Sequence, residues 1–238
     1  MFRIRLMILF LIFSAVGIAQ ESQQVKKKIS FRKQLKTTTK VQINQLKNGA
    51  LLLSLKTNKS KIAALKKIGK NDQAQELEKK QSQLNKSIIA AFKTKFNFCP
   101  TYFFFSDYAI YAKERAFDKV VFLNDSLKPD SNIMFQSKTF LVASFGKLEQ
   151  DTAKHLSHYT LASDNNFSVT QVRNYYGGPN MGFDALIISS DKFIQLRRPF
   201  PYYVRTRDPM PKSKVIFKTV AKMNKKLHRF YLKKNKSD

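Results

Sequence analysis

The chain has 238 residues, with 44 Lys and Arg against 16 Asp and Glu, a formal charge of +28 and one cysteine, Cys99. That length suits one large domain or two small ones, and a lone cysteine excludes an internal disulfide framework. Such a positive field attracts polyanions: nucleic acid, lipopolysaccharide phosphates, acidic glycans or anionic lipid.

The charge is unevenly placed. Residues 20–100 carry 19 Lys and Arg against 4 Asp and Glu, residues 101–176 balance at 8 and 8, and residues 177–238 carry 15 against 4. Much of the excess is Lys on helical faces in an Asn- and Ile-rich chain, as solvated surface in the product of an AT-rich genome would be. Arginine is scarcer, and four of the eight arginines beyond residue 19 fall between Arg197 and Arg207.

Residues 1–19 read as a secretory signal: Arg3 and Arg5, the apolar run Leu6–Phe13, then Gly17-Ile18-Ala19 before Gln20. From Leu6 to Ala19 is 14 residues, and a spanning helix needs about 20. Cleavage after Ala19 is therefore expected, leaving an exported protein, periplasmic or extracellular, with no transmembrane span. Export removes the usual nucleic-acid targets. Gln20–Lys47 is polar and basic, with sparse apolar residues, and reads as a flexible leader with room for order only in its last few residues. The rest, 48–238, reads as a single α/β domain.

Asn48-Gly49 is a turn signal and Ala50–Leu55 a short apolar strand. A helix follows over Asn58–Ile68, ended by Gly69. A second starts near Asn71 or Asp72 with the stripe Leu77, Leu84, Ile88 and Ala91/Phe92. Pro100 closes it, and Thr101–Ser106 is an aromatic strand. Strand, helical crossover and strand predict a parallel, right-handed βαβ unit. A short helix is expected around Tyr108–Ala116. Strands follow at Lys119–Leu123 and Thr139–Phe145, with a polar loop carrying Pro129 between them. The polar segment Glu149–Asn174 offers one strand near Phe167–Val172. Phe183–Ser189 should turn through Ser190-Asp191-Lys192 and return as Phe193–Arg197, with Ile194 and Leu196 on one face. A last helix spans Val215–Leu232 on the stripe Ile216, Val220, Met223, Leu227 and Phe230.

The expected fold is thus α/β: a mixed sheet of about five or six strands covered by helices. The order helix, strand, late antiparallel hairpin, terminal helix resembles the second half of a thioredoxin-like fold. The paired redox cysteines of that family are missing, so its activity is not implied. The export signal followed by Gln20, with an Asn/Lys/Ile-rich mature chain, is similar in style to uncharacterised secreted proteins of Bacteroidota.

Site chemistry concentrates in Tyr175–Arg207, which holds Gly177, Gly178, Gly182, Pro179, Pro199 and Pro201. The loop around Tyr176, Gly177, Gly178 and Asn180 lacks the Lys-Ser/Thr of a phosphate-binding P-loop and precedes a strand, so no nucleotide cofactor is expected. Arg197, Arg198, Arg205 and Arg207 alternate with Phe200, Tyr202 and Tyr203. Guanidinium binds phosphate or carboxylate bidentately, and the rings offer stacking faces. The alternative is that the rings pack beneath the prolines while the arginines pair with Asp184, Asp191 and Asp208. No metal site is assigned to His155 and His158, whose spacing would align them only on a helix. Cys99 is a thiol without an evident base. Asp107, Glu114, Asp118, Asp125 and Asp130 are carboxylates without geometry. The leading expectation is a non-enzymatic envelope protein binding lipopolysaccharide, an acidic glycan or lipid, or another envelope protein. The alternative is an exported thioredoxin-like or hydrolytic enzyme using Cys99 or one of those carboxylates.

Overall fold

The computed structural model describes residues 33–149, 155–161, 169–175, 183–206 and 208–235, the second and third of these as backbone alone. Residues 1–32, which include the expected signal at 1–19 and the first part of the expected leader, lie outside the described residues.

The first described element corrects the leader. Helix α1 spans 33–48 and drives Ile43 and Leu46, both fully buried, into the main core. Two apolar residues three positions apart are enough to dock one helical face. The Lys47 ammonium then donates to the Phe98 carbonyl at 3.0 Å. Ordered structure therefore begins by residue 33.

Strand β1 (Ala50–Leu55) is an interior strand, parallel to β2 (Thr101–Phe105) on one side and to β3 (Phe140–Lys147) on the other. Being covered on both faces, it reads as nearly continuous leucine. Leu51, Leu53 and Leu55 point into the main core, and Leu52 into a second one. The main core is closed by helices α3 (Asn71–Lys95) and α5 (Ser213–Asn235), through Ile88, Phe92, Ile216, Val220, Met223 and Leu227. Burying each such side chain contributes about 1.5–3 kcal/mol. Helix α2 (Lys59–Lys67) connects β1 to α3 and ends at Gly69, whose φ of 76° is the left-handed conformation expected of a glycine stop. Lys70, not Asn71 or Asp72, occupies the cap of α3.

The second face is covered by the β2–β3 connection, including helix α4 (Ala109–Lys113) and an aromatic cluster of Phe117, Phe122, Phe135 and Phe140 around Tyr102. Here the expected strand Lys119–Leu123 is corrected. Phe117–Lys119 is a 3-10 turn, and Phe122 and Leu123 make only single bridges, to Phe104 and Pro129. The apolar run records burial against rings, which needs no strand partner.

Beyond β3, strands β4 (His155–Leu161) and β5 (Val169–Tyr175) pair as an antiparallel ribbon. Of these two, only β5 is expected from the sequence, as a strand near Phe167–Val172 that begins and ends slightly too early. Strand β6 (Asp184–Ser189) runs antiparallel to β3 and pairs with β7 (Tyr203–Arg205), giving a five-stranded mixed sheet of order β2-β1-β3-β6-β7. The expected return strand Phe193–Arg197 is corrected: Phe193 has φ 61°, and the Ser190 hydroxyl oxygen accepts from the Lys192 and Ile194 amides. That turn sends Ile194 outward (68 % exposed) and Leu196 inward (5 %), so they do not share a face. The architecture is α/β, with five helices and a mixed sheet among the described residues.

Candidate functional site

The segment between Leu196 and β7 is organised by Phe200, buried to 1 % and set edge-on to Phe230 of α5 with ring centroids 5.9 Å apart. Its amide donates to the Arg197 carbonyl (3.1 Å), and its carbonyl accepts from the Tyr202 amide (2.9 Å). The Tyr202 carbonyl in turn accepts from Ile188 of β6 at 2.7 Å. With the ring sunk and the backbone closed on both sides, Arg197, Arg198 and Pro199 are left exposed.

Arg198, Tyr202 and Tyr203 line one cavity of about 210 Å³ together with Pro199, Pro201 and Lys226 of α5. The Lys226 ammonium donates to the Tyr203 carbonyl at 3.1 Å and lies 5.7 Å from the centre of its ring. Burial, then Lys222 and Arg198, hold its pKa below the ordinary lysine range. The pocket thus concentrates positive charge at a cost that a bound anion would relieve. From the cavity an aromatic ladder runs outward: Tyr202 to Tyr203 at 4.9 Å, Tyr203 to Phe183 at 5.6 Å, and the Arg205 guanidinium 4.7 Å from the Phe183 ring centre. Arg205 therefore stands at the far end of the ladder and Arg197 outside the cavity.

Of the residues nominated from sequence, Arg198, Tyr202 and Tyr203 come together, and Arg205 joins them through edge-on and tilted ring contacts. Tyr176, Gly177, Gly178, Asn180 and Arg207 lie outside the described residues. Lys226 and Phe183 were missed. The first had a legible signal, since it falls three residues after Met223 and four before Phe230, on the shoulder of the apolar stripe.

The alternative pairing with acids is answered in part. Asp191 pairs with Arg115 at 2.8 Å, and the Asp208 carboxylate accepts from the Met210 amide at 2.8 Å. Among the described residues, Arg197, Arg198 and Arg205 make no ion pair. Elsewhere, Asp107 is held by Lys59 (2.7 Å) and the Thr57 hydroxyl (3.0 Å), and Asp125 by Lys93 (2.8 Å). His155 and His158 fall in strand β4, so the helical spacing that would align them is absent. Among the described residues, no three His, Cys, Asp or Glu side chains converge as metal ligands, and no helix is long and apolar enough to cross a membrane.

Cys99 packs against the main core, and burial pushes its thiol up to about 12 against a weak opposing effect of Lys47. A thiolate nucleophile needs the opposite shift. The expected result is that a thiol-specific disulfide reagent at pH 8 leaves the native chain unmodified and reacts at once after unfolding in urea. Rapid native labelling would show an accessible, activated thiol.

No family model, curated protein or solved structure matches this chain.

Proposed function

We propose that this is a non-enzymatic exported protein of the cell envelope that binds an anionic surface or partner through the arginine–aromatic corner. Lipopolysaccharide phosphate, an acidic glycan, an anionic lipid or an acidic face of another envelope protein each carries the required chemistry. The observation that carries the reading is the joint placement of Arg198 and a partly buried Lys226 in one aromatic-walled cavity, unneutralised by any described carboxylate. Bulk lysine charge attracts polyanions without choosing a site. Guanidinium beside rings adds bidentate bonds and stacking. Export is read from residues 1–19.

The test is salt-gradient elution from immobilised heparin and lipopolysaccharide. Arg198→Ala/Arg205→Ala/Lys226→Ala is compared with Lys67→Ala/Lys70→Ala/Lys79→Ala, which removes equal charge from exposed positions. The corner variant is expected to bind about tenfold more weakly or worse, since it loses charge-assisted hydrogen bonds, while the control shifts slightly. Equal shifts would assign retention to net charge and sink the reading.

A further inference from the structure

The carboxyl edge of the parallel strands holds a second feature, remote in sequence from the arginine corner. Where β1 ends, the chain leaves through Lys56, Thr57 and Asn58, and Asn58 takes the left-handed conformation (φ 55°). Three amides then form a directed relay. Asn58 Nδ2 donates to Gln81 Oε1 at 2.6 Å, Gln81 Nε2 donates to Asn85 Oδ1 at 3.0 Å, and Asn85 Nδ2 donates to the Lys56 carbonyl at 2.9 Å. Gln81 and Asn85 are 4 % and 3 % exposed. Amides buried this deeply persist because each has its partner, and the relay pins the β1–α2 turn to α3.

Helix α2 itself contributes no buried side chain. It rests on α3 through half-buried Ile62 and Leu65, between left-handed residues at Asn58 and Gly69. Beneath it, beside the relay, opens a cavity of about 680 Å³. The apolar part of its floor is Ile62, Phe105 and Leu127, beside the buried amides Gln81 and Asn85, and its rim carries Lys59, Lys66, Lys86 and Glu78. Loops leaving parallel strands at their carboxyl ends commonly enclose ligands, because they diverge and leave a crevice.

The rim charges define the ligand. Lys59 is already committed to Asp107 at 2.7 Å. Among the described residues Lys66 and Lys86 have no carboxylate partner, while Glu78 opposes a second negative charge. The local balance is one net positive charge above an apolar floor. We infer that the cavity under α2 binds a small organic monoanion, with its charged head at Lys66 and Lys86 and its hydrocarbon body on Phe105, Leu127 and Ile62. This inference does not depend on the arginine corner.

Octanoate is the probe, titrated into the full mature chain and followed by amide chemical shifts. Saturable shifts are expected at Ile62, Ser82, Phe105 and Leu127, and Lys66→Glu/Lys86→Glu should weaken them by about tenfold or more, the scale of losing a charge-assisted contact. Both lysines are exposed, so that variant should fold. Octanol, octyltrimethylammonium and inorganic phosphate separate the contributions, and each should bind more weakly than octanoate. Octanol or the cation binding as well as octanoate would overturn the anion selectivity, and phosphate doing so would overturn the role of the apolar floor. Shifts confined to Arg198, Tyr202 and Lys226, or none that saturate, would overturn the site.

Discussion

Phe200→Ala is expected to lower the unfolding free energy by about 3–5 kcal/mol, the range for deleting a buried phenyl ring. It should also abolish the difference between the corner and control variants in polyanion retention. The ring is 1 % exposed, belongs to the main core and abuts Phe230. It is the only fully buried side chain among Arg197–Tyr203, so its removal leaves the turn that carries Arg198 without an anchor. Urea titration by circular dichroism gives the first effect and heparin elution at native conditions the second. Phe200→Leu, which keeps most of the volume, should cost far less and preserve retention. Retention unchanged in folded Phe200→Ala would mean that the corner does not need this anchor.

Gly49→Ala is expected to destabilise the chain by about 1–3 kcal/mol or more through overpacking, although alanine is the smallest possible addition. A Cβ at Gly49 would overlap the Thr139 carbonyl and lie 2.5 Å from both the Gln45 carbonyl and the Thr139 hydroxyl. Those atoms cannot step aside. The Thr139 carbonyl accepts from Ala50 at 3.1 Å to start the β1–β3 ladder, and its hydroxyl donates to Gln45 at 3.1 Å to tie on α1. Gly69→Ala is the contrast: its φ is 76° and nothing stands within 4 Å, so the cost there is backbone strain alone, about 1–2 kcal/mol. The order of the two urea midpoints checks the argument, and a Gly49→Ala midpoint equal to wild type would refute it.

Helices α3 and α5 were legible because their apolar residues recur at helical spacing over many turns, and nearly every one lands in the core. Strands β1 and β2 were legible as short apolar runs bounded by turn signals and separated by a helical crossover long enough for parallel pairing. Helix α1 was not. Ile43 and Leu46 are a weak stripe in a basic, Thr-rich stretch, and short helices of that kind are held by what they dock against rather than by propensity. The Lys119–Leu123 and Phe193–Arg197 readings failed for a related reason. Alternation and apolar density report burial, and both segments are partly buried while making only isolated bridges in place of a continuous ladder.

By itself the sequence determined the α/β class, the basic composition and the absence of any internal disulfide. These follow from composition, periodicity and local motifs, which act over a few residues. Only the tertiary structure decided that β7 makes the ladder with β6 while Phe193–Arg197 keeps a single bridge, Gln195 to Ser189, that Lys226 closes the pocket of Arg198, and that Asn58, Gln81 and Asn85 meet under α2. Each of these joins segments far apart along the chain. Which distant groups meet is set by how helices and strands share two cores, a competition that no single window of residues contains.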